Sequence, residues 1–111
     1  MVEFELRTYV DEHGRVPFET WILELDGQAQ AKVTIALSRL ERGNMPNVET
    51  VGEGVSELKL NWGPDRVYFG QDGKITIILL CGGTKKRQSR DIAIAKARWA
   101  SYKLRRSATS R

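Results

Sequence analysis

Three strand-like segments follow one another at hairpin spacing: VSELKLNW (55–62), RVYFGQ (66–71) and KITIILLC (74–81). The first two alternate apolar and polar residues, which is the period of a strand with one buried face. The third is apolar on both faces, as expected for a central strand covered on two sides. Between the second and the third stands Asp72-Gly73, a typical tight hairpin turn. The three segments predict the antiparallel core of a small sheet.

The residues before this sheet predict one more strand and two helices. Residues 2–9 alternate as a first strand does, and Pro17 then stands at the first position of a helix that ends near Leu25. A second helix is predicted over residues 28–42, and Gly43 ends it. Because only a short turn separates the two helices, we expect them to form an antiparallel hairpin.

A loop and a last helix complete the predicted order. Residues 44–54 contain Pro46, Gly52 and Gly54, which predict a loop. A helix capped by Ser89 follows the sheet, with an apolar seam formed by Ile92, Ala95, Trp99 and Tyr102.

The predicted fold class is therefore α+β, in the order β-α-α-β-β-β(-α), with a helical hairpin packed on a small, mostly antiparallel sheet. Residues 1–106 are expected to form a single domain, and residues 107–111 a disordered tail.

The composition excludes several classes of protein. The chain has 111 residues, of which 41% are hydrophobic and 29% charged. The longest apolar run, residues 77–81, falls far short of the roughly 18 residues that a membrane span needs. The N-terminus has no basic segment of the kind that opens a secretory signal, so a cytoplasmic location is expected. With one cysteine and one histidine, we expect no disulfide within the chain, no zinc or other metal site and no cofactor.

The charge of the chain is distributed unevenly. Residues 1–84 contain eight Lys/Arg and thirteen Asp/Glu, a net charge of −5, whereas residues 85–111 contain ten Lys/Arg and one Asp, a net charge of +9. Such a segment favours a phosphate-rich partner, because each neutralised phosphate releases counterions. A solvated basic helix with a frayed tail, or a surface for an acidic protein, would produce the same pattern.

Strand periodicity places four chemically useful side chains on one face of the sheet. If the strands 55–62 and 66–71 pair as a hairpin, Glu57, Lys59, Arg66 and Tyr68 are expected to share an exposed polar face. The strand that ends at residue 81 brings a cationic loop to the rim of this face, consisting of Lys85, Lys86 and Arg87.

These residue types suit RNA cleavage without a metal ion. The reaction needs a base for the 2′-OH proton, a cation for the phosphorane and an acid for the departing oxygen. Arg66 suits the phosphate through its planar fork. Glu57, or a lysine among cations, is a candidate base, and Tyr68 could stack on a base or donate a proton. Equally, Glu–Lys and Arg–Tyr pairs across strands are ordinary on protein surfaces.

Other residues with reactive or aromatic side chains are interpreted as structural. His13 lies in a polar turn, and Cys81 lies in an apolar strand, where an inert buried thiol is expected. The three tryptophans, Trp21, Trp62 and Trp99, fall on apolar stripes and are predicted to lie in the core.

Four segments of the sequence resemble the RelE/ParE superfamily of type II toxins, and within it the HigB-like addiction module killer proteins. They are GEGVSELKL (52–60), GPDRVYF (63–69), ILLCGGTKK (78–86) and QSRDIAIAK (88–96). Together with the helical hairpin they span nearly the whole chain. The resemblance implies a compact RelE-like fold and an antitoxin partner, often of the helix-turn-helix type. It also implies toxicity, in most such proteins by ribosome-dependent cleavage of mRNA.

The resemblance also implies roles for individual residues. Glu57, Arg66, Tyr68 and Lys85 form the expected catalytic set. The residues expected to bind RNA or the ribosome are Lys59, Lys86, Arg87 and Arg90. Lys59 stands where the family usually has arginine, which keeps the charge but loses the bidentate geometry. The ParE branch inhibits DNA gyrase on the same scaffold without cleaving RNA, so an inhibitor of this kind is the alternative, as is a degenerate homologue that only binds its antitoxin.

Overall fold

The structure, a computed structural model, describes residues 3–45, 47–60 and 63–109. In this part of the chain, five strands and three α-helices follow in the order β1 (Glu5–Thr8), α1 (Pro17–Leu23), α2 (Gly27–Glu41), β2 (Val48–Gly52), β3 (Val55–Lys59), β4 (Asp65–Asp72), β5 (Thr76–Thr84) and α3 (Gln88–Thr109). A single 3₁₀ turn, Lys85–Arg87, connects β5 to α3. The α+β class is confirmed.

The five strands form one mixed sheet in the order β1-β5-β4-β3-β2. The pairs β3–β4 and β4–β5 are antiparallel, as predicted. The pair β2–β3 is also antiparallel, and β1 lies parallel to β5. This parallel pair makes β5 an internal strand between β1 and β4, and its residues contribute to the buried clusters on both faces, which explains why they are apolar on both sides. The specifically RelE-like topology stays a prediction.

The prediction of a loop over residues 44–54 is wrong, because this segment contains β2. The pair β2–β3 is a hairpin whose two-residue turn consists of Glu53 and Gly54, with φ of +54° and +83°. A tight hairpin turn requires positive φ at both positions, which suits glycine. Gly52 is therefore the last residue of β2 and Gly54 is part of the hairpin turn, so neither marks an irregular loop.

Both α1 and α2 pack on one face of the sheet, which we call the α1–α2 face. Their starts follow local rules: Pro17 opens α1, and the Asp26 side chain accepts a hydrogen bond of 2.8 Å from the Ala29 N–H at the start of α2. The buried residues of this face are all apolar: Phe18, Val33, Leu40, Leu58, Leu60, Val67, Phe69, Ile77 and Leu79. The predicted packing of the two helices on the sheet is confirmed.

Helix α3 covers the opposite side of the sheet, which we call the α3 face. Its predicted seam is confirmed, since Ala95 and Trp99 are buried and Ile92 and Tyr102 are partly buried against the same cluster. The Trp99 ring lies so close to Gly70 that a Cβ there would stand 2.5 Å from it. A glycine in the middle of β4 therefore lets the helix approach the sheet.

The chain between β5 and α3 differs from the predicted loop. Strand β5 continues through Gly82 and Gly83 to Thr84, and α3 begins at Gln88, one residue before the predicted cap. The helix extends to Thr109, beyond the boundary predicted at residue 106, while residues 110 and 111 lie outside the described part. None of the helices in the described ranges is long and apolar enough to cross a membrane.

Candidate functional site

The strand register brings the predicted site residues together in two neighbouring rows. In one row, Glu57 on β3 pairs with Tyr68 on β4, which pairs with Cys81 on β5. In the next row, Lys59 pairs with Arg66, which pairs with Gly83. Because alternate residues of a strand share a face, all these side chains belong to one side of the sheet, as the sequence predicts.

The prediction that this side is exposed is wrong, because it is the α3 face. The relative exposure of Glu57 is 2%, that of Tyr68 is 0% and that of Arg66 is 8%. Glu57 and Tyr68 belong to the first register row and Arg66 to the second, and we call these three buried residues together the polar row. Alternation of polar and apolar residues usually indicates that one face of the sheet is exposed to solvent. Here, however, the polar positions of β3 and β4 lie beneath α3.

The guanidinium of Arg66 is fixed by the backbone at the start of β4. Its Nη1 donates hydrogen bonds to the Asp65 carbonyl at 3.0 Å and to the Gly63 carbonyl at 3.4 Å. Its Nε is buried and has no hydrogen-bond partner among the described residues. Arg66 thus lies at the end of the sheet with one donor unused.

The carboxylate and the phenol of the polar row lie side by side in the interior. Gln88, the first residue of α3, donates a hydrogen bond of 2.6 Å from Nε2 to Glu57 Oε2. The Tyr68 hydroxyl has no hydrogen-bond partner among the described residues. Burial, and next the neighbouring Glu57 carboxylate, raise the pKa of Tyr68 far above its ordinary value of 10.0. In this buried environment Tyr68 therefore holds its proton firmly.

Asp91 was not among the predicted site residues. It lies over the register row formed by Lys59, Arg66 and Gly83. A Cβ on Gly83 would stand 1.9 Å from Asp91 Oδ2, so the carboxylate rests on the glycine backbone. Oδ2 is buried and, within the described ranges, has no hydrogen-bond partner. Burial raises the pKa of Asp91 above its ordinary 3.8, although the nearby charges of Arg90, Arg87 and Arg98 oppose the shift.

A signal for Gln88 and Asp91 was present in the sequence. Positions 88, 91, 92 and 95 follow helical spacing, so the two polar residues extend the apolar seam of α3 toward its start. Polar side chains on a buried seam must lie opposite other polar groups, or their burial is costly. The seam therefore indicated a polar contact between the beginning of α3 and the sheet.

Five cationic side chains lie near the end of the sheet where Arg66 stands. We call them the basic rim: Lys59, Lys85, Lys86, Arg87 and Arg90. Lys85, Lys86, Arg87 and Arg90 are exposed around the 3₁₀ turn. The turn is held beside β4, since the Lys85 N–H donates to the Pro64 carbonyl at 2.8 Å. Lys59, the remaining member, is partly exposed, and its Nζ lies 3.6 Å from Glu49 Oε1. Lys85, Lys86 and Arg87 therefore lie beside the start of β4, and their role in binding RNA stays a prediction.

Asp91 also borders a cavity of about 370 Å³ between α1, α3 and β5. Its wall includes Arg15, Trp21, Cys81 and Arg98. Cys81 is buried, as predicted, and burial raises the pKa of its thiol to about 11. Trp99 lies in the buried cluster of the α3 face, and Trp21 packs against the buried cluster of the α1–α2 face, whereas Trp62 lies outside the described residues.

The remaining observations concern histidine and metal ligands. The side chain of His13 is exposed in the turn before α1, where its backbone N–H donates to Asp11 Oδ1 at 2.8 Å. In the described ranges, histidine, cysteine and acidic side chains form no group of three or more that could hold a metal ion.

Comparison with known proteins gives the chain its family. The model of the family described as phage-derived protein Gp49-like (DUF891) matches residues 20–100. The chain belongs to the Gp49-like family. An uncharacterized protein of Haemophilus influenzae is 37% identical to it over 81 residues, which are 71% of this chain and 82% of that protein. The matched residues include α3 through Trp99, the polar row and the basic rim.

Proposed function

We propose that this Gp49-like protein is the toxin of a type II toxin–antitoxin system and that it cleaves mRNA during translation. The family is associated with toxin–antitoxin systems, and the four quoted segments resemble RelE/ParE toxins of the HigB-like branch. A cognate antitoxin, of the helix-turn-helix type in the branch it resembles, is the expected protein partner. No metal ion takes part in the proposed reaction.

One observation carries the proposal: the basic rim and Arg66 meet at the same end of the sheet. Lys59 and Arg66 are partners in the register, and the start of the 3₁₀ turn is bonded to the residue before Asp65. A phosphodiester at this end would lie beside the buried Arg66, while Lys85 and Lys86 of the 3₁₀ turn would neutralise the neighbouring phosphates. Arg66 would stabilise the charge that develops on phosphorus during attack by the 2′-OH.

The proposed acid–base roles belong to Glu57 and Tyr68. Glu57 would accept the 2′-OH proton, and Tyr68 would donate a proton to the departing 5′ oxygen or stack on a base. Both are buried, so these roles require access to the polar row from the side of the rim. Burial of the two residues favours a second candidate, an inhibitor of DNA gyrase that binds through the basic segment without catalysis.

Induced expression in cells separates the two candidates. Cleavage predicts growth arrest together with new mRNA 5′ ends at codon boundaries, whereas gyrase inhibition predicts an SOS response and broken DNA with intact mRNA. Intact mRNA in arrested cells would contradict the proposed reaction.

The best variant for this assay is K85A/K86A, because both lysines are exposed and Arg66 is buried. We expect the double substitution to lower the yield of cleaved ends at least about fivefold, since two phosphate contacts are lost. The matched control is K32A/K74A, which removes the same charge from exposed positions on α2 and in the β4–β5 turn. Equal loss in both variants would show that general charge, and not the rim, determines activity.

A further inference from the structure

Two side chains of a single helical turn close the polar row. Gln88 is hydrogen-bonded to Glu57, and Asp91 rests on Gly83, the partner of Arg66 in the register. The two residues are three positions apart, so they lie on the same side of α3 and would move together. Residues 88–91, the first turn of α3, therefore cover both rows of the site.

Closure of this turn leaves polar groups unsatisfied. The buried atoms without a hydrogen-bond partner in the described ranges are Arg66 Nε, Tyr68 OH and Asp91 Oδ2. All three lie on the α3 face around the same turn, and they include both donors and an acceptor. Native interiors contain few such atoms, because each one loses its bonds to water without replacement. The closed form is therefore held at a cost that opening would remove.

Charge repulsion and backbone geometry also favour movement at this position. Four members of the basic rim stand between residues 85 and 90, and Asp91 is the only acidic residue in the last 27 residues of the chain. Like charges so close together repel, which favours separating the turn from its neighbours, and in the opened form an RNA phosphate would also reach the unused Nε donor of Arg66. The 3₁₀ turn Lys85–Arg87 adjoins residues 88–91, so the first turn of α3 is connected to β5 through three residues outside the regular α-helix.

We propose that the first turn of α3 is a cover that single-stranded RNA opens when it binds the basic rim, so that Glu57, Arg66 and Tyr68 become accessible to the RNA backbone. This inference rests on the proposed function, since it takes RNA as the polyanion. The rest of α3 stays docked through Ala95 and Trp99. The cover reconciles the burial of the polar row with a role in cleavage.

Cys81 is a built-in reporter of this movement. It is the single cysteine of the chain, it is buried, and its thiol lies 3.8 Å from the carbonyl oxygen of Asp91. A change in the rate at which N-ethylmaleimide labels the folded protein therefore reports a change in how often the turn opens. The RNA probe is a 2′-O-methyl hexanucleotide, which lacks the 2′-OH required for cleavage.

Saturation with this oligonucleotide is expected to raise the labelling rate of Cys81 at least threefold. A ligand that only binds the closed form would instead lower the rate, because it suppresses unfolding. An unchanged or lower rate would therefore overturn the cover. In the absence of RNA, Q88A is expected to raise the rate as well, since it removes the bond between the turn and Glu57; a rate equal to that of the wild type would count against the proposal.

A cysteine on the opposite side of the sheet provides the control. In the variant C81S/V33C the thiol lies under α2, on the α1–α2 face, so the oligonucleotide should leave its labelling unchanged or lower it. A rise at position 33 equal to that at Cys81 would show general loosening of the fold and would overturn a local cover.

Fluorescence anisotropy of the same labelled oligonucleotide separates this inference from the proposed function. Salt-dependent binding without faster labelling of Cys81 would disprove the cover and leave the RNA-directed function standing. Absence of binding would remove free RNA as the opener of the turn, while the mapping of mRNA ends in cells would still decide the proposed cleavage.

Discussion

The two faces of the sheet are covered by helices in different ways. On the α1–α2 face, every buried residue of the cluster is apolar. On the α3 face, an apolar cluster around Trp99 adjoins the polar row and Asp91, which together contain three buried polar atoms with no hydrogen-bond partner among the described residues. The comparison indicates that the first face stabilises the fold, whereas the second buries polar groups at a cost in stability, at the position where the proposed function needs them.

The largest expected effect comes from the α1–α2 face. Leu40 is 1% exposed in the middle of this cluster, and L40A should lower the free energy of unfolding by about 2–5 kcal/mol, because it removes buried methyl groups and leaves a cavity. Urea denaturation measures the change. L104A is the control, since Leu104 is 73% exposed, and it should stay within about 0.5 kcal/mol of the wild type. A loss below 1 kcal/mol for L40A, on the order of a surface change, would contradict the comparison.

A smaller effect is expected at the cover on the α3 face. Q88A removes the donor to Glu57 and leaves a buried carboxylate oxygen unpaired, which should lower the free energy of unfolding by about 1–3 kcal/mol. The measurement is again urea denaturation. The neighbouring exposed residue provides a control, S89A, with an expected change within about 0.5 kcal/mol. If both variants lose equal stability, the effect belongs to the helix end and not to the contact with Glu57.

The pH dependence of stability tests the burial of Asp91. Because its pKa is raised in the folded protein, the folded state binds more protons than the unfolded state just above pH 3.8, the ordinary value. The contribution of Asp91 to stability must therefore fall as the pH rises from 3.8 through the folded pKa. Compared with D91N, the wild type should lose stability over this window. Parallel profiles for the two proteins would show that the carboxylate is not desolvated.

The smallest effect on stability is expected at the basic rim. K85A/K86A should change the free energy of unfolding by no more than about 0.5 kcal/mol, because both side chains are exposed. The same variant should reduce the slope of log affinity for single-stranded RNA against log salt by about 1.4, at about 0.7 per neutralised phosphate. An unchanged slope would show that the rim does not contact phosphate.

Much of the fold could be predicted from local patterns. Period-two alternation located β3 and β4 and placed Glu57 beside Tyr68, because pairing and pleat follow directly from residue spacing. Helical spacing located α3 and its seam at Ala95 and Trp99. The short strand β2 was missed, since positive-φ turn residues in a tight hairpin have the same composition as a loop.

The exposure of the site could not be predicted from the same patterns. Alternation states which residues share a face, but it carries no information on what covers that face. Glu57 and Tyr68 have polar side chains and were therefore predicted to be exposed to solvent, whereas α3 buries them. Gln88 took part in the site without being recognised because its partner Glu57 lies 31 residues earlier in the chain. Asp91 was missed because its contact with Gly83 depends on how α3 packs on the sheet.

The sequence by itself determined the fold class, the pairing of the strands that carry the polar row and the accumulation of cations after residue 84, since all three follow from the spacing and charge of neighbouring residues. Only the tertiary structure decided that α3 lies over the polar row and that its first turn contacts Glu57 and Gly83. The physical reason is that the position of a helix on a sheet depends on long-range packing, here the fit of Trp99 over Gly70, and no local periodicity encodes such a contact.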